Sequence, residues 1–161
     1  LPEPSAMSPT PLLLFLHIAA VSIWVGGMFF AYVCLRPVAA VQLEPPARLR
    51  LWRAVFGRFF PWVWAAVAVI LGSGLIMMLA VGMKDAPLHW HLMLAAGLVM
   101  MAVFMHVFFA PYRRLLRAVD ASDWPAGGAA LAQIRKLVGF NTVLGFVTIA
   151  TATLGRWLIA G

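Results

Sequence analysis

The four histidines, His17, His89, His91 and His106, all lie in or beside long apolar stretches. Hydrocarbon accommodates imidazole poorly, so an ionisable side chain at such a position is a functional candidate by default. Two imidazoles on facing helices supply both axial ligands of a haem iron, as in b-type cytochromes. Imidazole combined with methionine thioethers instead suits copper(I). The chain carries nine methionines, so both chemistries have ligands to draw on.

Depth sorts these residues into layers. At about 1.5 Å per helical residue, His17 lies about 9 Å, His91 about 5 Å and Arg156 about 6 Å in from one end of their helices. They form an outer layer. His106 and Asn141 form an inner layer, with His106 about 18 Å deeper than His17. Rotation then separates His89 from His91. Two residues apart on one helix, they point about 200° away from each other. His91 and His106 are about 60° apart around the axis, with Met105 about 40° to the other side of His91. That face is expected to point into a bundle, and His89 to point outward to the interface.

The expectation is therefore haem b near the outer face, with His17 and His91 on the iron. Arg156 would meet a propionate. Trp90 would flank the ring, and Gly72, Ser73 and Gly74 would leave it room. An iron with two histidines favours electron transfer, with a quinol or periplasmic partner, or an oxidoreductase linked to quinol or porphyrinogen. His106, Asn141, Met105 and Met101 are candidates for a second, inner site.

Two alternatives stand beside it. In the first, His and Met side chains along the core bind copper(I), with Met101, Met105 and His106 at helical spacing on the third span. Met77, Met78 and Met83 would add a cluster at the outer end of the second. In the second, the chain is a structural membrane subunit, its methionines core filler and its histidines packed or interfacial. No phosphate loop, dinucleotide fingerprint or His-Glu-x-x-His motif is present. No carboxylate pair lies within the spans, which leaves little basis for a proton pump or antiporter.

Helices long enough to cross a membrane must position these groups. The sequence is 64% hydrophobic and 11% charged, far from the balance of a soluble domain. Four apolar stretches, at about 11–35, 59–82, 88–110 and 137–160, each reach the roughly 20 residues a span requires. None alternates like a barrel strand. The expected fold is all-α, a single four-helix transmembrane bundle over 1–161, multi-pass in a bacterial inner membrane. Lipid is its solvent, and a second copy is a conceivable partner.

The net charge of +7 reads as topology rather than nucleic-acid binding. Ten of the twelve Lys and Arg fall in 36–58 and 111–136. Basic loops stay in the cytoplasm, so both ends of the chain and the 83–87 loop are expected outside. "ARLRLWRAVFGRFF", residues 47–60, reads as an amphipathic stretch on the anionic leaflet. Segment 111–136 reads as two helix extensions around a turn, with Ser122 as cap and Pro125 near a helix start. A single cysteine, Cys34, leaves no internal disulfide and no cysteine-based metal cluster. The residues before Met7 read as a leader, with Met7 as the candidate start.

"LHIAAVSIWVGGMFF", with His17, Trp24, Gly26 and Gly27, resembles the first helix of the copper-resistance D (CopD) family. "GRFFPWVWAAVAVILGSGLIMML" and "PLHWHLMLAAGLVMMAVFMHVFFAPYRRL" are similar to its next two helices. The similarity runs from about residue 12 to 157. It implies a membrane protein linked to copper uptake or tolerance. The small four-helix form is also similar to HemJ-type haem proteins, whose early first-helix histidine would correspond to His17. Their Asn-Glu pair is replaced here by Asn141-Thr142.

Overall fold

The computed structural model describes residues 10–159, with side chains up to Gly155. The segment before Met7 and the side chain of Arg156 lie outside the described residues.

Every described element is helical. The first rod is α1 (Thr10–Phe29), a π-helical segment (Phe30–Leu35) and α2 (Arg36–Gln42) in unbroken succession. The π-segment has a local cause. Pro37 has no amide hydrogen to give to the helix ladder, and the Arg36 N–H just before it reaches back five residues to the Ala31 carbonyl. Helix α3 (Pro45–Val81) starts on two prolines, which suit a first turn whose N–H groups have no partner. It ends where Gly82 takes φ +97° and its N–H meets the Met78 and Leu79 carbonyls. A side chain at that φ would be strained, so glycine stops the helix here.

Helix α4 (Leu88–Phe109) and α5 (Pro111–Asp120) are separated by Ala110, where Pro111 interrupts the ladder. Helix α6 (Trp124–Ile159) returns. Its cap is not Ser122, which sits in the turn at φ 56°. Asp123 Oδ1 instead accepts the Ala126 N–H at 3.0 Å.

Four rods are long and apolar enough to span a membrane: Thr10–Gln42, Pro45–Val81, Leu88–Asp120 and Trp124–Gly155. The all-α four-helix membrane bundle is thus observed, but with longer helices than the apolar stretches alone. The basic segment 45–58 is no separate surface helix; it is the first turns of α3. Likewise α6 begins at Trp124, well before the apolar run at 137. Arginines end a hydrophobic stretch without ending a helix, and they snorkel outward from its last turns.

The outer surface is apolar: Phe15, Ile18, Leu79 and Val143 are exposed. Lipid is as apolar as these side chains, so the rods associate through close packing and interhelical hydrogen bonds. Helix α1 packs chiefly on α3, and α4 and α5 on α6, while α3 and α4 touch sparsely. In the basic half much of the space between the rods is taken up by aromatic rings. Phe56 stacks on Phe60 with centroids 5.1 Å apart, and Phe60 meets Phe104 and Tyr112 edge-on. Gly27 lets α1 close onto α3, because a Cβ there would overlap the Phe59 ring. In the other half the rods enclose open space.

Candidate functional site

That space is a cavity of about 500 Å³ reached by all four rods. Helix α1 contributes His17. Helix α3 contributes Met77 and Met78, and α4 contributes Trp90, Met93, Met100 and Met101. Helix α6 closes the wall with small residues, including Gly145, Thr148 and Ala152. Five of the nine methionines therefore converge with one imidazole on a single chamber.

The imidazole is held in a defined state. Ser73 Oγ donates to the Val69 carbonyl at 2.5 Å, so its oxygen is an acceptor toward His17 Nδ1, 2.9 Å away. His17 accordingly carries its proton on Nδ1 and leaves the Nε2 lone pair available to a metal. An outer partner of this kind is how proteins fix the tautomer and orientation of a ligating histidine. The ring lies against α3 here, since a Cβ at Gly74 would be 3.4 Å from His17 Cε1, in ordinary contact.

A second cavity of about 240 Å³ lies toward the basic end, lined by Met28, Asn141 and aromatic rings. Trp24 lines both chambers and meets Phe104 edge-on at 6.2 Å. Asn141 joins the two levels: its Nδ2 donates to the Met100 carbonyl at 3.1 Å, and its Oδ1 is buried with no partner. An unpartnered buried acceptor is a place for a water or a cation.

The other expected site residues lie elsewhere. His91 is not in the cavity lining. Its Nε2–H donates to the Met83 carbonyl at 3.0 Å, and its Nδ1 lies 3.3 Å from the Pro87 carbonyl. It ties the 82–87 loop to α4. His89, expected to be exposed, is 6% exposed and packs on α6, where a Cβ at Gly155 would come 2.7 Å from its own. His91, Met105 and His106 do share one side of α4, but Met105 and His106 are exposed. That side faces outward, so His106 and Asn141 do not form an inner site together. Met101, a candidate for the inner site, is instead buried in the wall of this chamber, and Trp90 lines the chamber too.

Ser73 was legible as room for a ring but not as the partner of His17. Its signal was a hydroxyl alone in an apolar span, at a depth comparable with His17. Met77 and Met78 were legible as part of a methionine cluster, whereas Met93 and Met100 had no signal beyond residue type. Among the described residues no group of three or more His, Cys, Asp or Glu is placed to hold a metal ion. Any metal chemistry here belongs to thioether and single-imidazole donors.

The profile of the family described as Copper resistance protein D (CopD) matches residues 53–154. The Copper transport protein CutJ of Bacillus subtilis (strain 168) is 40% identical over 62 residues, which is 38% of this chain and 10% of that protein. The chain thus spans about a tenth of the length of that relative. No solved structure matches it.

These matches overturn the haem expectation. Both point to copper, and the geometry agrees with them: His17 and His91 do not reach a common cavity, so the pair of axial imidazoles is not assembled. Haem b, the electron-transfer role and its quinol or porphyrinogen partners go with it.

Proposed function

This chain belongs to the copper resistance protein D family, and on that premise we propose that it takes up copper(I) in the methionine and histidine chamber and passes it along the bundle axis. The observation that carries this reading is the convergence of His17 with Met77, Met78, Met93, Met100 and Met101 on one cavity.

The donor chemistry supports it. Copper(I) is soft, and thioethers are soft neutral ligands that remain competent without losing a proton. A hard divalent ion would want carboxylate or carbonyl oxygen, and no Asp or Glu lines this chamber. A single positive charge in an apolar interior is costly unless coordination replaces its hydration. Five sulfurs and one imidazole nitrogen offer more donors than one ion needs. A surplus lets the ion exchange ligands and move, whereas a closed site would trap it.

The onward route supports passage. The second chamber offers Met28 thioether, the unpartnered Asn141 oxygen and ring faces. Trp24 stands between the two chambers, edge-on to Phe104 of the second. A side-chain rotation there would join them, and rotamer changes are fast compared with transport.

The test is copper(I) loading of purified protein against a chromophoric chelator such as bicinchoninate, followed by flux into proteoliposomes. Stoichiometric copper, lost when His17 and the chamber methionines are replaced, supports the reading. Binding that survives their replacement would refute it.

A further inference from the structure

A third cavity, of about 260 Å³, lies at the basic end between α2, α3 and α6; it shares Ala31, Phe56 and Val138 with the second chamber and no lining residue with the first. Arg36, Arg48 and Arg135 line it, one from each helix. No Asp or Glu lines it. The ion pair made among the described residues is Arg53 with Asp120, and neither lines this pocket. Three arginines from three helices therefore line a pocket to which the protein brings no carboxylate, with Arg48 reaching the Ala40 carbonyl at 3.4 Å.

The aromatic walls hold one of these arginines and a neighbouring one in place. The Arg36 guanidinium lies over the Tyr32 ring, 5.1 Å from its centroid. Nearby Arg50 lies over Trp124, which lines the pocket, at 5.0 Å. The π-helical segment brings Tyr32 and Arg36 toward this end of the bundle just before Pro37. The floor is open: Gly128 lines the cavity, and a Cβ there would meet nothing within 4 Å.

We propose that this pocket binds the phosphodiester headgroup of an anionic phospholipid of the cytoplasmic leaflet. Guanidinium groups recognise phosphate oxygens through paired, charge-assisted hydrogen bonds. Basic pockets between spans on the cytoplasmic side suit anionic headgroups, and the positive-inside rule puts this end there. Tyr32, Trp52 and Trp124 add the aromatic lining typical of the headgroup level. Beside the pocket, Val38 and Val41 on α2 are exposed, which gives acyl chains an apolar surface to follow. The inference does not depend on the copper reading, because no residue lines both this pocket and the copper chamber.

The experiment is native mass spectrometry of the full chain, titrated with phosphatidylglycerol, phosphatidylcholine or inorganic phosphate. The expected result is one phosphatidylglycerol held at least tenfold more tightly than phosphatidylcholine. Replacing the three pocket arginines (R36Q, R48Q and R135Q together) is expected to weaken that lipid about a hundredfold, from the usual contribution of each basic residue at the surface. Replacing three exposed arginines outside it (R113Q, R114Q and R117Q together) removes the same charge and is expected to cost less than a few-fold. Gly128→Leu fills the pocket with every charge kept and favours the helix; it too is expected to weaken the lipid at least tenfold. It decides the matter if the pocket triple variant does not fold. Equal losses in the two triple variants, no effect of Gly128→Leu, or binding of inorganic phosphate as tight as the lipid would each overturn the proposal.

Discussion

The Nδ1–H of His17 on α1 donates to the Ser73 hydroxyl on α3 across 2.9 Å. Ser73 in turn donates its hydroxyl hydrogen bond to the Val69 carbonyl. A hydroxyl mid-span thus has both its roles used, and the imidazole it holds keeps one lone pair for a ligand. This contact links packing of α1 on α3 to the chemistry proposed for the chamber.

Ser73→Ala removes the positioning partner but no ligand. Copper(I) affinity is expected to fall about 10- to 100-fold, the usual cost of losing such a partner. Ser73→Thr, which keeps the hydroxyl, is expected to recover most of it. Competition with bicinchoninate measures both. An unchanged affinity in the alanine variant would show that His17 needs no support from α3.

The four histidines are expected to separate cleanly. His17→Ala should weaken copper(I) by more than tenfold. His91→Ala and His106→Ala should leave it within about twofold, since neither side chain lines the chamber. His91→Ala should instead loosen the 82–87 loop, detectable as faster proteolysis or amide exchange there. A copper loss in His91→Ala equal to that in His17→Ala would contradict the site.

Methionine-to-leucine changes separate coordination from packing. Such volume-conserving swaps cost less than about 1.5 kcal/mol of stability. Met100→Leu and Met101→Leu together are expected to lower copper(I) affinity while the thermal midpoint moves by a few degrees. Met105→Leu, on the exposed side of α4, is expected to change neither. Equal effects from the buried pair and from Met105 would reduce the methionines to core filler.

Adjacent glycines give a test of the helix packing. A Cβ at Gly26 meets nothing within 4 Å, while one at Gly27 overlaps the Phe59 ring. Gly26→Ala is expected to be neutral or to stabilise by up to about 1 kcal/mol through helix propensity. Gly27→Ala is expected to destabilise by about 1–3 kcal/mol through overpacking. Thermal unfolding in detergent distinguishes them, and equal midpoints would contradict the α1–α3 contact described.

Much of the fold was legible, because four runs of apolar residues at membrane length admit few other structures. The helix ends were not. Arg48, Arg50 and Arg53 end hydrophobicity but continue α3, and Asp123 rather than Ser122 caps α6. The site was half legible. His17 stood out as an imidazole deep in an apolar span. His89 and His91 were assigned to the wrong sides, because α4 is apolar all round and its sequence carries no stripe to fix its rotation. The shared face of His91, Met105 and His106 is real but turned outward. The packing of His89 beside Gly155 and of Met100, Met101 and Phe104 in the interior settles the rotation.

X-ray absorption at the copper edge of the copper(I)-loaded chain tests the central claim most directly. The account predicts a first shell of thioether sulfur with one imidazole nitrogen, the nitrogen lost in His17→Ala and the sulfur diminished in the Met100→Leu, Met101→Leu double variant. A shell of nitrogen and oxygen alone, or one that neither variant alters, would contradict it.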